Sequence, residues 1–261
     1  MVRTACDSTT HYAGRSLLSK ASTQVMGNII QSGSTASPIT RLFYIHDPMC
    51  SWCYAFSRSW AALQAELSGD IAIIYLAGGL APDTTEPMPL SMRHTIQQIW
   101  QRIEQIVPGV SFNYDFWSRN TPIRSTYPAC RAVLAARKQH AESEPEMVQA
   151  IHRAYYQKAL NPSLPEALQG CAQEIGLDVA VFGRDLISPE IEDGLQHEIR
   201  QSRQLDAYSY PSLRLVHNNA IFPVPIDYLN HRTMRDEINR IIREAALTKS
   251  APDQDLFNTW A

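Results

Sequence analysis

The stretch FYIHDPMCSWCYAFSRSWAALQAEL, residues 43–67, sets two cysteines, Cys50 and Cys53, two residues apart where an apolar run gives way to a helical pattern. Leu42–Ile45 predicts a short strand, and Asp47-Pro48 a turn after it. Phe56, Trp60, Leu63 and Leu67 recur at one face of a 3.6-residue period, so a helix is expected from Ser51 to Leu67, with Gly69 as its stop. DIAIIYLAGGL, residues 70–80, then reads as a buried strand closed by Gly78-Gly79. The chain therefore opens β-α-β, with a CxxC pair at the front of the helix.

The order of the remaining elements completes that frame. PLSMRHTIQQIWQRIEQIV places Met92, Ile96, Ile99, Trp100, Ile103, Ile106 and Val107 on one helical face. This stripe reads as core, with an edge of the helical block left as an alternative surface for apolar substrates. Further amphipathic helices are expected near 125–139, 145–160, 165–176, 178–187 and 189–205. SYPSLRLVHN and AIFPVPI read as two strands joined by a hairpin turn at Asn218-Asn219, before a last helix over about 231–246. Without the helical block, β-α-β followed by β-β-α is the element order of a thioredoxin fold. The expected division is residues 40–82 and 206–247 as a thioredoxin-like domain, 83–205 as a helical insertion and 248–261 as a C-terminal tail. Residues 1–39 are Ser/Thr-rich and lack a continuous apolar h-region. They read either as a disordered tail or as sequence upstream of a true start at Met26, leaving translation of residues 1–25 open.

Composition narrows the function classes. The net charge of −3 comes with no basic stripe, which argues against nucleic-acid binding. No apolar run reaches the roughly 18 residues of a membrane span. Five cysteines, an odd and sparse set without a signal sequence, argue against a secreted disulfide scaffold and for a reducing, cytoplasmic setting.

In such a setting a CxxC is a metal clamp or a redox centre. A structural zinc site needs four ligands, commonly two such pairs, and no second pair exists. Cys130 and Cys171 sit at helical spacing among apolar residues and read as core. A static disulfide across two residues gains little chain entropy. The redox reading has physical support. The first turn of a helix presents free N–H groups and the positive end of its dipole, which stabilise a thiolate at Cys50. Such sites lower a thiol pKa from about 8.5 to roughly 3.5–7.5, and the thiolate is the attacking species in exchange. Cys53, one turn deeper, is placed to resolve a mixed disulfide formed at Cys50. Ser51 and Trp52 either fill the turn or tune Cys50 and shape the surface a partner meets. Asp47 either serves the turn, or raises the Cys50 pKa or shuttles protons. His46 either makes an ordinary polar contact or, if protonated, lowers that pKa.

DPMCSWCYAF, STYPACRAVLAA and YSYPSLRLV together resemble the DsbA-like family of thioredoxin-fold thiol–disulfide oxidoreductases, and more narrowly its FrnE-type and protein-disulfide-isomerase branch. The resemblance covers about residues 40–246. It implies an α/β, thioredoxin-like fold with a large all-α insertion. It implies a dithiol enzyme with Cys50 as nucleophile and Cys53 as resolving thiol. Family position makes Pro211, preceded by Tyr210, the candidate cis-proline facing the pair, ahead of Pro223 and Pro225. Tyr210, Pro211, Ser51 and Trp52 are then the substrate-facing residues. The implied substrates are protein or peptide disulfides or small thiols. The resemblance implies no bound cofactor or metal, and a redox-active Cys50–Cys53 pair that glutathione or a thioredoxin system could recycle. Ser51 departs from the proline common after the first cysteine, which leaves the potential open. Two rival readings remain. One is a glutathione-dependent transferase or isomerase of the kappa-like type, which carries serine at the position of Cys50. The other is a non-enzymatic thioredoxin-fold binding module.

Overall fold

The computed structural model describes residues 40–250. The expectations for residues 1–39, for Met26 and for the tail beyond Ser250 lie outside them. Four strands form one sheet: β1 (Thr40–His46), β2 (Ile71–Ala77), β3 (Ser212–His217) and β4 (Ala220–Val224), in the order β2-β1-β3-β4. β1 and β2 run parallel through the crossover helix α1 (Ser51–Glu66), whereas β3 pairs antiparallel with both β1 and β4. Asn218 and Asn219, both at positive φ (50° and 64°), make the tight β3–β4 turn, a conformation asparagine tolerates. Between β2 and β3 lie α2 (Leu90–Ile106), α3 (Phe116–Arg119), α4 (Tyr127–Gln139), α5 (Ser143–His152), α6 (Pro165–Glu174), α7 (Val179–Leu186) and α8 (Pro189–Gln204). The closing helix is α9 (His231–Ser250). This is the α/β, thioredoxin-like fold with a helical insertion.

Two hydrophobic cores form. Leu42 and Tyr44 of β1, spaced by two and so on one face of the sheet, meet Phe56, Trp60 and Leu63 of α1 and Met234, Ile238 and Ile241 of α9. The second core gathers Trp100, Ile103, Phe116, Ala132, Val133, Met147, Ile151, Leu168, Phe182 and Leu195 from the inserted helices. Met49 and Ala55, flanking the CxxC, belong to this second core. The cysteine pair thus lies on the seam between the two.

Several sequence expectations are corrected. β1 is longer than Leu42–Ile45. α1 ends at Glu66 with Leu67 already extended (φ −74°, ψ 145°), so Gly69 lies in the following turn and does not cap the helix. Met92 and Ile106 are exposed and leave the buried face to Ile96, Trp100, Ile103 and Val107, because that face is narrower than the apolar stripe. The segment expected as one helix over 145–160 begins at Ser143 and passes into a π-helical turn, Arg153–Gln157. The short helix α3 was not foreseen. α9 runs to Ser250, past the expected 246 and into the expected tail. Among the described residues no helix is long and apolar enough to cross a membrane.

Candidate active site

Asp47-Pro48-Met49 forms the turn that delivers the cysteines. The Cys50 amide donates to the Asp47 carbonyl (3.0 Å), and the Met49 amide donates to the Asp47 carboxylate (2.8 Å). Cys50 is the N-cap residue of α1, in extended conformation (φ −83°, ψ 117°), and Cys53 lies in the first helical turn. The two thiols are free, and both are buried. Their acidities diverge. A hydrogen bond from Cys53 pulls the Cys50 pKa down. Burial opposes this, the helical N–H groups of Cys53 and Trp52 reinforce it, and the Asp47 charge resists it. Cys53 is held well above the usual thiol value by burial and by Cys50. One thiol inclined to ionise beside one held protonated is the division of labour that disulfide exchange requires.

The loop before β3 closes over the pair. The Tyr210–Pro211 peptide is cis, the one cis bond among the described residues. The Cys50 thiol donates to the Tyr210 carbonyl at 3.5 Å, and the Tyr210 hydroxyl donates to the Gly78 carbonyl. A side chain at Gly78 would put its Cβ 2.0 Å from the Tyr210 ring, so glycine alone lets the ring lie flat there. Pro211 is buried, and Pro223 stands exposed on edge strand β4, where its missing N–H costs no ladder bond. Trp52 is half-buried against Tyr228 (ring centroids 5.2 Å apart). Ser51 accepts a hydrogen bond from the Trp100 indole (3.0 Å). The Cys50–Tyr210 contact thus brings the Cys50–Cys53 segment, with Ser51 and Trp52, to the Tyr210–Pro211 loop.

The surroundings add residues that sequence reasoning missed or misjudged. Asp47 has no exposed surface, and burial raises its pKa against four donors: Met49 N, Leu80 N (2.8 Å), Thr126 Oγ1 (2.6 Å) and Cys130 Sγ (3.5 Å). Cys130 is core, as expected, but its thiol also serves this carboxylate. Cys171 is core, and burial pushes its pKa to about 11. The Tyr44 hydroxyl lies against the Cys53 sulfur. His46 is buried, stacked on Tyr44 (5.0 Å), with neither ring nitrogen hydrogen-bonded. Burial and Arg137 lower its pKa to about 3, so it stays neutral at the pH of a cell and supplies no cation to Cys50. His152, on α5, pairs with Ser57 Oγ at 3.3 Å and is likewise lowered to about 3, by burial first and then by His46 and Arg153. Thr126 and Cys130 lay in the segment STYPACRAVLAA, which marked them by family likeness but not by contact. Nothing in the sequence marks His152 as a neighbour of α1. Among the described residues no group of three or more His, Cys, Asp or Glu side chains can hold a metal ion.

Comparisons with known proteins agree with this fold. The model of the DsbA-like thioredoxin domain matches residues 43–224. A curated relative, the ClpXP adapter protein SpxH of Halalkalibacterium halodurans, is 24% identical over 177 residues, which span 66% of this chain and 57% of that protein. The chain thus matches little more than half the length of that relative. The cytosolic disulfide reductase DsbM from Pseudomonas aeruginosa shares the fold, with a TM-score of 0.64 and 24% identity over 78% of this chain and 99% of its own. A second structure of DsbM, with GSH, aligns over the same shares at a TM-score of 0.63 and 24% identity.

Proposed function

This chain belongs to the DsbA-like thioredoxin-domain family, and from that premise we propose that it is a thiol–disulfide oxidoreductase working in the reductase or isomerase direction through Cys50 and Cys53. The observation that carries the reading is the placement of two free thiols at the N-cap and first turn of α1, with Cys50 hydrogen-bonded to the carbonyl of Tyr210 before cis-Pro211, and the split acidity accords with it. The Cys50 thiolate attacks one sulfur of a substrate disulfide. That S–S bond breaks, a mixed disulfide forms at Cys50, and the second substrate sulfur leaves as a thiolate. Cys53 then loses its proton and attacks Cys50 Sγ, expelling the first substrate sulfur. Two electrons have passed from the dithiol to the substrate, the two released sulfurs take up protons, and a Cys50–Cys53 disulfide remains. Two molecules of a small thiol such as glutathione return it to the dithiol. The GSH-containing structure of DsbM supports that choice of reductant. The name of that reductase likewise supports a cytosolic setting.

The substrate class is protein or peptide disulfides, met by Ser51, Trp52, Tyr210 and Pro211. Residues 40–82 and 206–247 form the thioredoxin-like domain in this reading, and 83–205 the insertion. Cys53→Ser tests it. The variant retains the attacking thiol and loses the resolving one, so it is expected to accumulate a mixed disulfide with substrate or glutathione at Cys50, detectable as an intact-mass adduct reversed by reductant. If no adduct forms at Cys50 under conditions where the wild type turns over, the proposed order of attack is wrong.

A second reading is an adapter that binds a partner without redox turnover, and the curated SpxH adapter favours it. It predicts that partner capture survives loss of both cysteines.

A further inference from the structure

The proposed exchange reaction leaves open what sets the affinity of the Cys50–Cys53 pair for electrons, and one contact enters the motif from outside the thioredoxin elements. Trp100 of α2 is fully buried, yet its indole N–H emerges from the insertion's core to reach Ser51 Oγ at 3.0 Å, between the two cysteines. The ring cannot drift. Phe112 stacks on it (4.7 Å, 12° between planes), and Tyr114, Phe116, Trp117, Tyr155 and Tyr156 pack around its edges. Tyr156 in turn stacks on Tyr54 of α1 (4.5 Å, 19°), one residue after Cys53. Tyr155 and Tyr156 lie on the π-helical turn Arg153–Gln157 and are both buried, their ring centroids 4.4 Å apart.

We propose that Trp100 is a positioning residue for the redox pair: by fixing Ser51 through its indole N–H, it makes the thiol–disulfide equilibrium of Cys50–Cys53 depend on the helical insertion. The physical basis is local. The indole occupies one lone pair of Ser51 Oγ and polarises the hydroxyl, and the positive end of the N–H dipole points at the helix start that holds the Cys50 sulfur. Both effects favour the thiolate and so the dithiol over the disulfide. Proline in the place of Ser51 has no side-chain acceptor, so this coupling belongs to a CSWC motif and not to a CPxC one. The inference rests on the exchange reading of the site.

The test compares wild type, Trp100→Phe, Ser51→Ala and the double variant in glutathione redox buffers, with the Cys50 pKa from the pH dependence of its alkylation and with urea midpoints alongside. Trp100→Phe keeps a smaller aromatic ring and removes the donor, with the urea midpoint reporting the lost packing. Ser51→Ala removes the acceptor at the rim of the core and so guards against a folding defect. Each single variant is expected to raise the Cys50 pKa and to shift the equilibrium constant about fivefold toward the disulfide, the equivalent of one hydrogen bond. The double variant is expected to shift it no further than either single. An unchanged constant in Trp100→Phe, or a double variant in which the shifts add, overturns the coupling. If wild type itself forms no reversible Cys50–Cys53 disulfide, the exchange reading has failed first.

Discussion

Cys50→Ser is expected to lower disulfide-reductase turnover by about a thousandfold or more, to the rate of uncatalysed exchange, because no other thiol in the site can replace it. Cys53 is buried and held protonated. Cys130 is fully buried and donates to Asp47, and its pKa is pushed well up by burial and by that carboxylate. A serine hydroxyl at position 50 has no comparable acidity. The fold is expected to tolerate the change, since a hydroxyl can replace the thiol both in the long bond to the Tyr210 carbonyl and as the partner of Cys53. The measurement is insulin or glutathione-disulfide reduction by the variant, with circular dichroism as the control for folding. Activity within tenfold of wild type in a folded variant would remove Cys50 from the mechanism.

The second large effect is a loss of stability in acid, with its source in the two buried imidazoles. His46 and His152 each have a folded pKa of about 3 against an ordinary value of 6.5. Below pH 6.5 the unfolded chain binds protons that the folded chain refuses. The stability due to each neutral imidazole is therefore complete above pH 6.5 and is lost as pH falls toward 3, at about 1.4 kcal/mol per pH unit for each proton. Glu144 works in the opposite sense. Burial raises it from 4.5 to about 7 despite Arg137, so its contribution is complete below pH 4.5 and lost as pH rises to 7. Asp47, also raised by burial, acts like Glu144 at lower pH. From pH 6.5 to 4.5 two histidine protons oppose that of Glu144, and these three groups alone give a net fall of about 1.4 kcal/mol per unit, lessened where Asp47 also takes up its proton on folding. Below 4.5 Glu144 no longer compensates, and below 3.8 neither does Asp47, so the fall steepens. Urea denaturation at half-unit steps from pH 7 to 4 measures this. His152→Asn keeps a donor for Ser57 and removes the titrating ring, so its curve is expected to be flatter. A wild-type midpoint that does not move from pH 6.5 to 4 would contradict the assignment.

The parts of this architecture that local sequence governs were legible. The period change around Cys50, the Pro and Gly punctuation and the Asn-Asn turn are each decided by neighbours in the chain, and the β-α-β and β-β-α ends followed from them. The π-helical turn Arg153–Gln157 was not read, because over five residues its apolar pattern does not differ from that of the α-helix before it. Met92 and Ile106 show that an apolar stripe gives the direction of a helix face and not its width. At the site, position alone brought Cys50 and Cys53 to the helix start, while Tyr210 and Pro211 came from family likeness. The contacts that bias the chemistry join residues far apart in sequence: Trp100 to Ser51, Thr126 and Cys130 to Asp47, His152 to Ser57. Periodicity could bury Trp100 but could not aim its N–H. Nor could it show that burial would keep His46 neutral, which removes the cationic role considered for it.

The most direct test of the account is the equilibrium between the reduced and oxidised protein in glutathione buffers, with the bridged cysteines identified by peptide mass. The account predicts one reversible two-electron transition that joins Cys50 to Cys53, at a potential between the roughly −270 mV of thioredoxin and the roughly −180 mV of protein disulfide isomerase. A chain that forms no Cys50–Cys53 disulfide at any ratio of reduced to oxidised glutathione would contradict it.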